Sequence, residues 1–425
     1  MKYDAAIIGG GISGLTIAYK LSKKGKKVIV IEKEKRIGGM LRSIKKNNYL
    51  IEEFYHHILP GQDQTVELIK EIGLENKLIW RDASTGFYYN SKFYTLTVPF
   101  DLLKFSLLSF SEKMRLGFFL LRLKLIKNPE ELDTLPAQEF IIKKSGKNVY
   151  EKFFKPLLSA KYGKNLHRIS TSWFIDRINI RNKRGYKGEV LGYVEGGFGE
   201  LVKKLIQEIK KNNGEIIHEE VNKIEFAGEK IDYLRAGNQK IEAENFISTI
   251  PGPALARLGN LPQDYKEKLS SLENQGAICI LIGLKKKLTD FYWTNIINED
   301  ISFRALIEHT NFQPVSNYGE HIVYLASYPE NESELWKTGD KEIFEKYFKD
   351  LKKVTDIKEE DVNWYEVIKE KNAGLIYNLG ILNRILPVKT PVDNLYLAGM
   401  LNSHPDRNLE QSIKLANKVV GEILS

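Results

Sequence analysis

The sequence predicts an α/β protein, and three stretches carry that expectation. The first is N-terminal. Residues 5–8 form an apolar run suited to a buried parallel strand. Gly9-Gly10-Gly11-Ile12-Ser13-Gly14 follows and satisfies G-x-G-x-x-G. A helical pattern comes next, with Leu15, Ala18, Tyr19 and Leu21 on one side and Gly25 as its stop. A second strand, Val28–Ile31, ends at Glu32. This is the spacing of a βαβ dinucleotide site. Gly9 permits the tight turn, Gly11 lets a pyrophosphate approach the backbone, and Gly14 lets helix and strand pack closely. Glu32 stands where an acid would meet a ribose hydroxyl. Ile12 and Ser13 open a helix whose free N–H groups and positive dipole end suit phosphate.

The second stretch is 192–226. A glycine-rich approach leads to a helix over 200–211, a stop at Asn212-Asn213-Gly214, and strands over 215–218 and 221–226. Residues 246–251 read as the strand that closes this segment. The third stretch is 391–425. A strand ends at Gly399, residues 400–408 form a polar loop, and 409–424 form a helix with Leu409, Ile413, Ala416 and Val420 on one face. Between these, residues 261–360 predict a mixed sheet with flanking helices, joined by the hairpin of residues 87–94 with its turn at Asn90-Ser91.

A chain of 425 residues exceeds one core and predicts two or three domains. With 42% hydrophobic and 28% charged residues it reads as folded and globular. The formal charge is +9, but the lysines are spread along the chain and no nucleic-acid motif occurs. A generally basic surface is expected, and a nucleic-acid partner is not. The one cysteine, Cys279, lies in an apolar run and reads as a small buried hydrophobe. A dithiol–flavin reductase is thereby excluded, and a reducing, cytoplasmic compartment is expected. The first strand begins at once, so no cleaved leader is expected. No metal site is expected, since adjacent His56 and His57 on an extended segment face opposite ways.

After Glu32 come Lys33 and the run Arg36-Ile37-Gly38-Gly39-Met40-Leu41. Its paired glycines suggest a loop folding back over the nucleotide, with Arg36 near the pyrophosphate or the ring edge. GGGISGL, then Glu32, then R-I-G-G resembles the glutathione-reductase-like FAD fold. Within that fold the pattern is similar to the amine oxidase, protoporphyrinogen oxidase and phytoene desaturase superfamily. The ribose acid with the R-x-G-G loop argues for FAD over NAD.

The resemblance implies a Rossmann-like FAD-binding domain in three discontinuous segments, 1–85, 190–255 and 365–425. An α+β substrate domain, 86–189 and 256–364, is inserted. Implied cofactor contacts are Gly9, Gly11, Ile12, Ser13, Gly14, Glu32, Lys33, Arg36, Gly38, Gly39, Met40 and Leu41 in the first segment. Val221 would offer its backbone to the adenine. Gly399, Met400 and Leu409 would meet the flavin end, where the final helix aims its N-terminus at the pyrimidine ring. A reduced flavin carries negative charge there, and a helix start stabilises it. No second G-x-G-x-x-G occurs, so a separate NAD(P)H domain is not expected.

The substrate side is read from scattered residues. His56 and His57 lie in the segment that runs past the isoalloxazine ring in this superfamily, and the pair resembles a histidine-containing segment of UDP-galactopyranose mutase. A histidine titrates near neutrality and can hydrogen-bond a flavin or a phosphate; packed, structural histidines are the alternative. In YEKFFKPLLSAKYG, residues 150–163, Lys155, Lys161 and Tyr162 are pocket candidates, or ordinary solvated residues. Arg407, just before the final helix, would meet flavin or an anionic substrate group. The loop His404-Pro405-Asp406-Arg407-Asn408 departs from the glycine-rich loop of many oxidases.

Residues 98–127 are the most apolar tract, interrupted by charges so that no run reaches the ~20 residues of a membrane span. Amphipathic helices are expected, either packed over the substrate cavity or lying peripherally on the inner face of a membrane. The function expected is an FAD-dependent oxidoreductase that passes hydride from a small organic substrate to flavin N5, protoporphyrinogen-oxidase-like or amine-oxidase/desaturase-like. The alternative is a mutase-like, flavin-dependent isomerase acting on a nucleotide-sugar or polysaccharide precursor. Catalytic candidates are His56, His57, Lys161 and Arg407. The sequence leaves the oligomeric state open.

Overall fold

The computed structural model describes residues 2–98, 100–181, 189–405 and 407–425. Pro99 and Asp406, which belong to two of the tracts above, lie outside the described residues, as do 182–188.

Two seven-stranded sheets organise the chain. In the first, Tyr3–Ile8 lies parallel between Val28–Ile31 and Gln239–Ser248. Glu215–Ile217 extends the sheet beyond Val28–Ile31, and Leu395–Leu397 pairs with the end of Gln239–Ser248. Residues 5–8 and 28–31 are all buried, because both faces of this sheet are covered. Alternate residues divide between the faces. Ala5 and Ile7 pack with Leu15, Leu201 and Ile413, from helices Ile12–Lys23, Phe198–Lys211 and Leu409–Leu424. Ala6 and Ile8 pack in a second cluster, with Phe246. The strand expected over 246–251 starts earlier, at Gln239. Its first half carries an antiparallel ribbon, Val221–Ala227 with Lys230–Ala236.

The second sheet has the order Val362–Leu375, Asn274–Leu284, His321–Ser327, Ala305–Glu308, Trp293–Ile296, Thr85–Tyr89, Lys92–Thr95. It is antiparallel except where Trp293–Ile296 runs alongside Thr85–Tyr89. Its strands alternate in the same way. Ile278, Ile280 and Ile282 meet Ile343, Tyr347 and Leu351 of the helix Asp340–Val354. Cys279 and Leu281 face the other way and join the core shared with the first sheet's helices. The boundary expected between residues 364 and 365 falls inside Val362–Leu375, which pairs along its length with Asn274–Leu284. Backbone pairing therefore keeps residues 365–375 with the second sheet.

A helical region, Phe110–Leu123, Ala137–Ser145, Lys155–Tyr162 and Thr171–Arg181, packs around Phe119, Phe140, Phe154 and Phe174. Pro156 lies just after the π turn Tyr150–Phe154, in a run that is helical on both sides of it. Among the described residues no helix is long and apolar enough to cross a membrane.

Candidate functional site

The glycine turn is held by its neighbours. Gly9 has φ +107°, a region that favours glycine, and a Cβ there would run into Thr249 Oγ1. A Cβ at Gly14 would run into the Gly9 carbonyl oxygen. Gly11 differs: a Cβ there would come no closer than 3.9 Å to any non-neighbouring atom, the Gly39 Cα. Close packing dictates glycine at 9 and 14, whereas the space at Gly11 is open. That opening leaves room for a pyrophosphate to approach the backbone. The helix behind it, Ile12–Lys23, has no side-chain cap and no acid in its first turn, which leaves its N–H groups for an anion.

Three other segments close on this turn. Gly38 bridges to Gly11 and donates its N–H to the Gly10 carbonyl at 3.0 Å, so the 36–39 loop does fold back. Glu32 accepts from the N–H of Gly10 at 2.6 Å and of Glu34 at 2.9 Å, at the end of its strand. The Glu32 N–H donates to Ile217, which brings the chain leading to Val221 alongside. Ser13 Oγ donates to the Ser412 carbonyl at 3.3 Å, so the helix starting at Ile12 and the one starting at Leu409 have their N-terminal turns together. Gly399 packs on the Thr249 backbone, and Thr249 Oγ1 donates to the Ile8 carbonyl at 2.9 Å. Thr249 thus ties the first strand to the last. It lies in the 246–251 run, but no local pattern marks that role.

Several predicted contacts sit at the rim. Lys33 is exposed beside Glu34. Arg36 is 60% exposed and pairs at 2.9 Å with Glu53, a buried carboxylate that also holds Arg42 at 3.1 Å. Arg36 therefore fastens its loop to the segment carrying the histidines. Met40 is half-buried and Leu41 buried; Met400 opens a short turn and is half-buried.

His56 and His57 do face opposite ways. The His56 ring packs on Phe198, and its Nδ1–H donates to the Phe54 carbonyl at 2.7 Å. Burial pulls its pKa down to about 4, so the ring is neutral and Nε2 carries a lone pair. His57 Nδ1 lies 3.1 Å from the Tyr292 hydroxyl, and its ring meets Trp293. From there a wall of half-buried aromatics continues. Trp293 stands edge-on to Tyr55, and the Tyr55 and Tyr328 hydroxyls are hydrogen-bonded. The Arg407 guanidinium lies 6.0 Å over the Tyr328 ring, and Arg407 Nη2 donates to Gln275 Oε1 at 3.3 Å. Its stem fills the space over Gly374, where a Cβ would collide with it.

The Gln275 side-chain N–H donates to the Lys161 backbone carbonyl, so one amide ties the Arg407 side chain to the main chain of Lys161. Lys161 Nζ sits 5.0 Å over Trp173, which stacks on Tyr377, which meets His404. The fold thus brings His57 and Arg407 onto one wall, while the Lys161 ammonium lies over Trp173 and His56 faces Phe198. Lys155 stands apart, paired with Glu151 at 2.6 Å. Sequence reasoning missed Gln275, Tyr328, Trp293 and Gly374, which lie in or just after separate strands and carry no local motif. Among the described residues no cluster of three or more His, Cys, Asp or Glu could hold a metal.

An α/β fold with a glycine cradle open to pyrophosphate and two helix starts converging on it defines a dinucleotide-dependent protein. The chain belongs to the flavin containing amine oxidoreductase family, whose family model matches residues 12–424, and its cofactor is FAD. It is 29% identical over 184 residues to the coproporphyrinogen III oxidase of Staphylococcus aureus. That match covers 40% of this chain and only 38% of the relative's length. It is 24% identical to mouse amine oxidase [flavin-containing] B over all of this chain and 86% of the relative. A crystal structure from Exiguobacterium sp. 255-15, described provisionally as a protoporphyrinogen oxidase, superposes with a TM-score of 0.79 at 19% identity, covering 99% of this chain and 98% of that one. Reduced UDP-galactopyranose mutase gives 0.78 at 15% identity, covering 100% and 96%. At such identities these structures speak for the fold alone.

Proposed function

We propose that this protein is an FAD-dependent oxidoreductase acting on a carboxylate-bearing organic substrate of the porphyrinogen type. FAD, when bound, supplies a hydride acceptor at N5. The observation that carries the proposal is a pair of cations over aromatic rings, Arg407 over Tyr328 and Lys161 over Trp173, with the Gln275 amide bonded to the Arg407 guanidinium and to the Lys161 backbone carbonyl. Two cations beside flat rings suit a flat, anionic substrate and disfavour a cationic amine. Arg407 and Lys161 would bind its carboxylates, and Gln275 would fix the Arg407 fork. Tyr55, Trp293 and Tyr328 would exclude water from the reacting face. Loss of hydride from a carbon next to an N–H leaves a proton to be shed, and His57, on the same wall as Arg407, is the acceptor we assign.

We assign the first sheet and its helices to cofactor binding, with Gly9, Gly11, Gly14, Glu32, Gly38, Gly39, Val221, Gly399 and Leu409 as contacts. The second sheet and the helical region hold the substrate. The reading also puts residues 98–127 against the inner face of a membrane, in the cytoplasm.

Anaerobic mixing tests the reading. The FAD-loaded protein should lose its visible flavin absorbance with coproporphyrinogen III and keep it with a simple primary amine. Bleaching by the amine and not the porphyrinogen would overturn the substrate class. A second reading is favoured by the same two cations, which also suit the diphosphate of a nucleotide-sugar. That isomerase would turn over only after prior reduction, with no net redox change.

A further inference from the structure

Eleven large apolar side chains are exposed among the described residues, and seven of them lie between residues 100 and 125. Five follow one spacing: Phe110, Met114, Phe118, Leu121 and Leu125 fall at i, i+4, i+8, i+11 and i+15. At 3.6 residues per turn the four within Phe110–Leu123 form a single stripe, which Leu125 extends in the turn that follows. The opposite face of the same helix buries Leu116, Phe119 and Leu123 in the core. The helix is therefore apolar on two faces, and only one is used internally. The outer one is not marginal: Phe110 is 73% exposed and Leu125 77%. Clustered exposure of this kind marks an interaction surface.

The charge around the stripe says what covers it. Helical spacing places Arg115 and Arg122 along one edge and Lys113 and Lys124 along the other. The acids of this segment are consumed internally. Asp101 accepts from the N–H groups of Thr97 and Val98, and Glu112 accepts from Ser109 N–H and pairs with Lys152 at 2.9 Å. An apolar stripe edged with cations fits the acyl and headgroup layers of an anionic bilayer.

One further feature sits at that edge. A cavity of about 420 Å³ opens beside the first turn of the helix, lined by Ser109, Ser111, Glu112, Arg115, Lys147 and Asn148; the Glu112 carboxylate there is ion-paired with Lys152. Arg115 and Lys147 form no ion pair among the described residues.

We propose that the helix Phe110–Leu123 docks on an anionic phospholipid bilayer, its apolar stripe entering the acyl boundary while the cavity between Arg115 and Lys147 takes a headgroup phosphodiester. This rests on the membrane contact in the proposed function and adds the site that makes it selective for anionic lipid.

Flotation of the FAD-loaded full chain with vesicles tests both levels. Vesicles of phosphatidylcholine doped with phosphatidylglycerol should carry the protein, and phosphatidylcholine alone should carry less. F118S/L121S should lower partition into both kinds by at least about tenfold. R115A/K147A should lower partition into the anionic vesicles by roughly tenfold to thirtyfold and leave the neutral ones unchanged. Flavin absorbance per chain confirms that each variant is folded. No flotation with any vesicle would overturn the membrane contact itself. Unchanged anionic partition of R115A/K147A would overturn the headgroup site alone. A dimer by light scattering that F118S/L121S converts to monomer would assign the stripe to a second copy and overturn the proposal.

Discussion

The helix Ile12–Lys23 starts at Gly11 with no side-chain cap, whereas Phe110–Leu123 starts with a reciprocal capping box between Ser109 and Glu112. Their faces are reversed in the same sense. Ile12–Lys23 is buried along nearly its whole length, between the first sheet and the final helix. Phe110–Leu123 leaves one apolar stripe outside. Each helix therefore keeps one kind of chemistry in reserve. The first keeps polar N–H groups, which suit an anionic cofactor. The second has settled its polar ends and keeps apolar area, which suits a lipid surface. A missing cap carries information only where the start of the helix is also sterically open, as it is at Gly11.

The largest expected effect breaks the first half of this comparison. Gly11→Val should fold normally, since the space is open, yet lose FAD affinity by at least about 100-fold, roughly 3 kcal/mol. Flavin absorbance per chain and a thermal melt read the two separately; a yellow Gly11→Val protein would refute the cradle. Gly14→Ala is the contrast, because its methyl meets the Gly9 carbonyl. It should also lower stability, by about 1–3 kcal/mol, as overpacking does.

Arg407 extends the comparison to the third helix start. Arg407→Ala should raise KM for a carboxylate substrate by tens of fold, about 2–3 kcal/mol, with FAD content unchanged. Equal KM values in steady-state assays would remove Arg407 from the substrate site.

A pH series tests how the helix Phe198–Lys211 is started. Glu52, fully buried, accepts from the Phe198 N–H and from Tyr193. His309 lies against Tyr193, and its Nε2 is 2.7 Å from the Tyr318 hydroxyl. Burial pulls the His309 pKa down to about 3. The native ring is neutral, while the unfolded chain takes up a proton near pH 6.5. Its contribution is complete above pH 6.5 and is lost as pH falls toward 3, by up to about 1.4 kcal/mol per pH unit. Glu52, pushed up by burial, has the opposite sign, and its contribution cancels in a comparison with His309→Gln. That variant should show a flatter dependence of urea stability between about pH 6.5 and 4. Parallel curves would mean that the ring titrates in the folded state. The smallest effect sharpens the second half: Ser109→Ala should cost about 1 kcal/mol in a thermal melt and leave flavin content unchanged.

Legibility in the sequence followed locality. The glycine turn, Glu32, the 36–39 loop and the closing strand and helix are contiguous patterns, and each became the element its spacing implied. The hairpin turn at Asn90-Ser91 was equally legible, with both residues at positive φ in a two-residue connection. Gln275 was not legible. It sits in a strand buried throughout, and only the meeting of that strand with Lys161 and Arg407 gives its amide a task. Glu53 was hidden in the same way, since its partners Arg36 and Arg42 come from the preceding loop.

By itself, then, the sequence determined the α/β class, the dinucleotide turn and the flavin family, because each depends on residues close together in the chain, where backbone geometry ties spacing to shape. Tertiary structure alone decided that His57 and Arg407 share one wall while His56 faces away, and that one apolar stripe of Phe110–Leu123 is left outside. Both follow from which strands and helices pack together, and that is set by the burial of the whole chain, beyond the reach of any local pattern.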